Sequence, residues 1–318
     1  MNCRQSRLIY GTAGIDLAVS RRIHLLNLEQ AWSEGIVYFD TAPIYAHGQA
    51  EAILGDFLKF HPDAQVTAKM GLSGRILPRL PAGVFRLARR AARLLARSRR
   101  PAGNPEVAVP AENTAPSIDA TPTALDLIGW KQSLDGSLRR LRLDSVPLLL
   151  LHEVNAAAAN DPATVEFMEG LREQGMFQKA GIGGGNPAME QVALHPVYQA
   201  IQTEFYLGGR SWPEALAPAH RENILYAALR PMKSLSTHLL DPDLAAKWRR
   251  DLDSSLAGTE GIAVWLMSWA LHQIPHSRAV FFSANPGHIR DMARGIEPLL
   301  ADSQRLAVFE SLYRSLPI

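Results

Sequence analysis

Four side chains suited to proton chemistry stand at or just past the ends of short apolar runs. Asp40 closes GIVYFD, Lys69 closes QVTAK and His152 closes PLLLLH, while Tyr45 lies five residues beyond Asp40. A phenol titrates near pH 10, too high for easy proton exchange at neutrality. An ammonium beside it favours the phenolate and lowers that value, and a carboxylate on the other side of the ammonium holds it in place and charged. A histidine aimed at the same point can hydrogen-bond a carbonyl oxygen and orient it. Such a set polarises a carbonyl and moves a proton to its oxygen. It contains no reductant and no nucleophile for acyl chemistry. Taken singly, Asp40 caps a turn and Tyr45 packs, but a lysine or histidine closing an apolar strand is costly to bury without a partner. The case rests on all four converging.

Convergence requires a scaffold that brings strand ends to one rim. Eight apolar runs read as strands: Leu8 to Ala13, Ile36 to Asp40, Gln65 to Lys69, Pro147 to His152, Lys179 to Gly183, Gln199 to Thr203, Ile224 to Ala228 and Arg278 to Phe282. They are continuously apolar, as strands covered on both faces should be. Helical patterns between them, such as Leu125 to Leu141, Pro162 to Gln174 and Gly261 to Gln273, are long enough for parallel crossovers. Eight such repeats in 318 residues predict an α/β fold, a (β/α)8 TIM barrel forming a single domain over 1–318. A doubly wound open sheet is the alternative, although the first strand-helix junction, GTAGID, lacks the glycine fingerprint of a dinucleotide fold.

An insert over residues 72–123 breaks the alternation, because connections between barrel elements are usually short. Its first part contains a basic amphipathic helix over residues 84–97, whose arginines share one face; its second, residues 101–123, carries five prolines and reads as a disordered linker. Residues 75–100 hold nine of the 33 basic side chains and no acid, so the rest of the chain, with 24 basic and 31 acidic residues, carries −7. The helix suits a peripheral membrane surface, a protein partner or a lid packed over the barrel mouth, or simply a solvated arginine face. With one aromatic in the basic stretch and no recognisable module, the sequence predicts no nucleic-acid partner. Cys3 is the sole cysteine, and no apolar run approaches the roughly 20 residues of a spanning helix, so a cytoplasmic protein without internal disulfides is expected. No Cys/His spacing suggests a metal site. Trp130, Trp212, Trp248, Trp265 and Trp269 read mostly as helix packing, with Trp212, after the sixth strand, the one placed to reach the barrel mouth.

The pattern D-T-A-x-x-Y followed by E-x-x-L-G (Asp40, Thr41, Ala42, Tyr45, Glu51, Leu54, Gly55), with Lys69 and His152 following in order, resembles the aldo-keto reductase family. Further resemblance runs through Ser133 to His152, Gly170 to Gly183 and Ile201 to Phe205. It implies a barrel that binds NADPH, with NADH as the alternative, across its C-terminal rim. Hydride would pass between the nicotinamide and the carbonyl carbon of a small-molecule substrate while Tyr45 protonates the oxygen. Asp40, Tyr45, Lys69 and His152 would be catalytic. Gln202 matches the residue that holds the carboxamide, and Tyr226 the aromatic that stacks on the nicotinamide. Gly11 and Thr12 at the end of the first strand, Gly183 and Gly184 after the fifth, and Ser283, Asn285 and Arg290 after the eighth complete the expected cofactor contacts.

The chain departs from the family pattern in three places. Gly183 and Gly184 stand where Ser-Asn is usual, leaving Asn186 or backbone groups to replace those side chains. Phe282 and His288 stand where basic residues are common near the adenosine 2′-phosphate. The segment Tyr226-Ala227-Ala228-Leu229 lacks one pyrophosphate-facing hydroxyl, with Arg230 as its replacement. These losses motivate a competing expectation, a weak or inactive barrel serving as a regulatory or scaffold subunit through its basic insert. The substrate and the oligomeric state are not encoded in any motif.

Overall fold

The computed structural model describes residues 7–72, 76–78, 82–87, 90, 126–185, 195–209 and 221–317. Residues 82–87 are helical. Apart from residue 90, the rest of the expected arginine helix and the whole 101–123 linker lie outside the described residues, as do Asn186 and Trp212.

Eight parallel strands close into a barrel in sequence order: β1 (Leu8–Gly11), β2 (Tyr38–Asp40), β3 (Gln65–Met70), β4 (Val146–His152), β5 (Phe177–Gly183), β6 (Tyr198–Glu204), β7 (Glu222–Tyr226) and β8 (Arg278–Phe281). The fold is therefore the (β/α)8 barrel that the alternation of apolar runs predicts. Around it run α1 (Arg21–Ser33), α2 (Gln49–Leu58), α3 (Leu127–Leu141), α4 (Ala156–Asn160), α5 (Pro162–Glu173), α6 (Met232–His238), α7 (Pro242–Asp251), α8 (Ile262–Gln273), α9 (Pro286–Leu300) and α10 (Ser303–Arg314). Caps set several boundaries more tightly than the pattern suggests. The Asp126 carboxylate accepts from the amide of Gly129 to start α3, and the Asp161 carboxylate accepts from that of Ala163 to start α5. Strand β7 ends at Tyr226 because Ala227 turns into the left-handed region at φ 65°.

Period-two alternation sorts each strand into a face toward the lumen and a face toward the helices. Ile9, Leu148, Leu150, Ala200 and Ile224 fill the lumen, while Leu149, Leu151, Ala180 and Leu225 pack outward with the helices in the larger core. Lys69 pairs with Leu150, so it shares the inward face. The same parity carries His152 one layer above Leu150, Gln202 and Glu204 above Ala200, and Tyr226 above Ile224. At the opposite end Arg278 stacks on the Tyr38 ring at 4.0 Å and pairs with Glu222, closing the barrel floor. The polar residues at the C-terminal rim thus sit over an apolar plug.

The helix that follows Tyr45 is anchored by the second half of the motif. Glu51, fully buried on α2, meets Arg140 of α3 at 2.7 Å. A Cβ on Gly55 would lie 2.2 Å from the Arg140 carbonyl oxygen, so only glycine lets these two helices approach so closely. Trp130, Trp248, Trp265 and Trp269 are buried in helix packing.

Candidate active site

Asp40 ends β2 beside Gly11 of β1 and Thr67 of β3. Thr12 fixes the turn that follows it: its amide donates to the Asp40 carbonyl at 2.9 Å, and its hydroxyl lies 3.0 Å from that oxygen and 2.9 Å from the Thr41 hydroxyl. Thr12 therefore braces the turn between Asp40 and Tyr45. Gly11 leaves room for Val280 of β8, which a Cβ would approach to 2.8 Å. Beyond Tyr45 the backbone turns through Ala46 and His47, both left-handed at φ 48° and 54°, before α2 begins. Two successive non-glycine residues in that region mark a conformation held by its surroundings. Part of that hold comes from residues 76–78. The Leu77 amide donates to the His47 carbonyl at 3.0 Å, and the Gln49 amide side chain donates to the Leu77 carbonyl at 2.7 Å.

The four residues singled out by spacing come together. The Lys69 ammonium, 1% exposed, donates to Asp40 Oδ1 at 2.5 Å and to the Tyr45 hydroxyl oxygen at 3.3 Å. The rings of Tyr45 and His152 meet edge to face, 6.0 Å apart at 86°. Burial works against a charged Lys69, but Asp40 first and then Tyr45 outweigh it and hold the ammonium above its ordinary value. Lys69 does pull the Tyr45 phenol down, as its position suggests. Burial is the larger effect, however, and with Asp40 it leaves the phenol above its usual value. That outcome corrects the simple expectation of a lowered phenol: Tyr45 rests protonated. Because Lys69 donates into the phenol oxygen, the phenol's own proton is free to point at a ligand. His152 is driven down to about 3 by burial and by Lys69, so its imidazole is neutral near pH 7, and its buried Nδ1 has no partner among the described residues.

The residues expected to hold a cofactor fall into three groups. Gln202 faces the lumen as parity requires, but its side-chain amide donates to Asp40 Oδ2 at 2.8 Å, so it orients the carboxylate that holds Lys69. Gly183, Gly184 and Gly185 line the rim beside Tyr226; a Cβ on Gly185 would sit 3.1 Å from the Tyr226 hydroxyl. Ser283 and Asn285 build the entrance to α9. The Asn285 amide donates to the Ser283 hydroxyl at 3.1 Å, and Asn285 Oδ1 caps the helix by accepting from the Gly287 amide at 2.8 Å. The exposed Arg290 guanidinium lies 3.9 Å from where a Gly287 Cβ would stand, on the first turn of a 15-residue helix. At that helix start Pro286 has no N–H, and the Gly287 and Ile289 amides are already taken by Asn285, so Arg290 is the main group it presents to an anion. Arg230, the expected replacement for the missing hydroxyl, is instead engaged by Glu204 through both guanidinium nitrogens and lies over the Tyr206 ring at 4.7 Å.

Two acidic residues of this cleft were not singled out by spacing. Glu153 follows His152, and Glu204 closes β6; the lumen parity of β6 was the signal that could have found Glu204. Among the described residues no group of His, Cys, Asp and Glu could hold a metal ion, and no helix is long and apolar enough to cross a membrane.

The model of the family described as Aldo/keto reductase family matches residues 7–205. The chain is 31% identical over 164 residues to D-threo-aldose 1-dehydrogenase of a Pseudomonas species, covering 49% of this chain and 42% of that protein. The matched stretches span 24% to 45% of the lengths of three such curated relatives. Among solved structures, it is similar to the glycerol dehydrogenase of Gluconobacter oxydans, with a TM-score of 0.67, 18% identity, and coverage of 98% of this chain and 93% of that one. It is also similar to an aldo-keto reductase of Klebsiella pneumoniae in complex with NADPH, with a TM-score of 0.64, 18% identity, and coverage of 98% and 92%.

Proposed function

The chain belongs to the aldo/keto reductase family, and from that premise we propose that it is an oxidoreductase that interconverts a carbonyl and an alcohol with a nicotinamide cofactor, NADPH in preference to NADH. The observation that carries this reading is the Lys69 ammonium seated between Asp40 at 2.5 Å and the Tyr45 hydroxyl at 3.3 Å, with His152 edge-on to the phenol.

The cleft suits such a cofactor on its own features. His152 Nδ1 is a buried polar atom without a hydrogen-bond partner among the described residues, and Gly183, Gly184 and Gly185 add no side chain of their own at the end of β5. Tyr226, Gly183 and Gly184, with Gln202, would hold the nicotinamide end. Ser283, Asn285 and Arg290 would hold the adenosine end, where the Arg290 guanidinium and the positive end of the α9 dipole would favour an added 2′-phosphate. Bound there, the cofactor supplies or accepts the hydride.

The chain's own residues do the rest. Neutral His152 donates its N–H to the carbonyl oxygen and fixes its orientation. Tyr45 gives that oxygen its proton, and Lys69, still an ammonium, stabilises the phenolate left behind. Asp40, oriented by Gln202, keeps Lys69 charged and aimed. Replacing Tyr45→Phe should lower turnover of a test aldehyde by about 10²–10⁴-fold while leaving the NADPH dissociation constant unchanged. Equal loss of turnover and binding would contradict a proton-donor role. Failure of the unmodified protein to bind either NADPH or NADH at millimolar concentration would remove the enzymatic reading and favour a scaffold.

A further inference from the structure

Among the described residues, Glu153 is a carboxylate of the cleft with no cation paired to it and no part in the proton relay. It follows His152 directly, and its backbone sits in the left-handed region at φ 55°, off the path of β4. Its side chain is thereby brought to the end of β5. There Oε1 accepts from the Gly185 amide at 3.2 Å, and Oε2 lies 2.8 Å from where a Cβ of Gly184 would stand. Glu153 thus occupies space that a side chain at position 184 would need. Glu204 faces the same space, 3.6 Å from a Cβ position on Gly185, whose nearest neighbour, at 3.1 Å, is the Tyr226 hydroxyl. Arg230 neutralises Glu204 but not Glu153. Burial raises the Glu153 carboxyl, the Gly185 amide draws it down and Glu204 raises it again. Tyr226, itself raised first by burial, is raised further by both carboxylates.

The two redox forms of a nicotinamide have nearly the same shape but differ by one positive charge on the ring. A fixed negative charge beside the ring is therefore the simplest device for telling them apart. We propose that Glu153, placed by its left-handed backbone against Gly184 and Gly185, makes the cleft select the oxidised, cationic nicotinamide over the reduced one. This rests on the reading of the cleft as a nicotinamide site. In a mixture of both forms the cleft fills first with the oxidised one and is then poised to take an alcohol.

The test is calorimetric titration of the full chain with NADP⁺ and NADPH, and with NAD⁺ and NADH. The unmodified protein is expected to bind the oxidised form about tenfold more tightly than the reduced one. Glu153→Gln should bring that ratio close to one chiefly by weakening the oxidised form, while Glu153→Asp should keep most of the preference. Charged and titratable groups acting on or acted on by Glu153 are Glu204 and Tyr226 from the ends of β6 and β7 and Tyr45 from the β2 loop, with Lys69, Arg230 and His152 the other charged or titratable groups of the rim. Of these, Lys69 and Arg230 are held above their ordinary values and His152 below its own. The preference should accordingly fade on acidification as Glu153 takes up a proton, and the Gln variant should show a ratio flat with pH. That titration of the unmodified protein decides the matter even if a variant does not fold. A ratio unchanged in Glu153→Gln, or no preference at any pH, overturns the role of Glu153 while leaving a nicotinamide site. Binding of neither form overturns both.

Discussion

At the scale of single residues, the direction of each hydrogen bond decides the chemistry. Lys69 donates to both Asp40 and Tyr45, so the phenol keeps its own proton for a ligand and the ammonium lies against the phenol oxygen. His152 carries a measurable consequence. Its imidazole is driven down to about 3 in the folded protein and titrates near 6.5 when unfolded. Between those values the unfolded chain binds more protons, so the stability that His152 contributes as a neutral group is full above pH 6.5 and is lost as pH falls toward 3. His152→Gln should reduce the slope of stability against pH in that window by at most about 1.4 kcal/mol per unit. Urea denaturation at stepped pH, with an unchanged slope, would contradict it. The types and spacing of Asp40, Tyr45, Lys69 and His152 were legible in the sequence because each ends an apolar run. That Gln202 serves Asp40, and that Arg230 serves Glu204, was not, because each partner lies on a different strand or loop.

At the scale of elements, the motif E-x-x-L-G has a packing explanation. Glu51 pairs with Arg140, and Gly55 lets α2 rest against the α3 backbone, which fixes the helix that follows the Tyr45 turn. Gly55→Ala would force a Cβ to within 2.2 Å of a carbonyl oxygen, so α2 must shift. A loss of about 2–3 kcal/mol is expected, readable as a fall in thermal midpoint, together with weakened turnover because the Tyr45 loop shifts too. An unchanged midpoint would show that α2 and α3 can separate freely. The eight strands were readable from continuous apolar runs, with no strand end misplaced by more than two residues. Strand β1 stops at Gly11 because Thr12 turns to hold the Asp40 carbonyl, a contact invisible to local pattern.

At the scale of the whole molecule, β3 and β4 pair directly, Thr67 with Leu148 through Met70 with Leu151, although a long connection separates them in sequence. The barrel seam therefore does not need that connection, except for residues 76–78, which bond to His47 and Gln49. Replacing residues 79–125 with a short Gly-Ser bridge should leave the thermal midpoint within about 4 °C of the intact chain; a collapse would place the insert in the core. The sequence by itself determined the repeat of strand and helix, and with it the rim to which four chemical residues must come, because apolar periodicity and strand parity are local properties. Only the tertiary structure decided how those residues are tuned. Burial against Asp40, Lys69 and their neighbours keeps Tyr45 protonated and His152 neutral, and the left-handed turn at Glu153 sets an acid against the Gly185 amide. Desolvation and charge act through space, between residues the chain order keeps far apart.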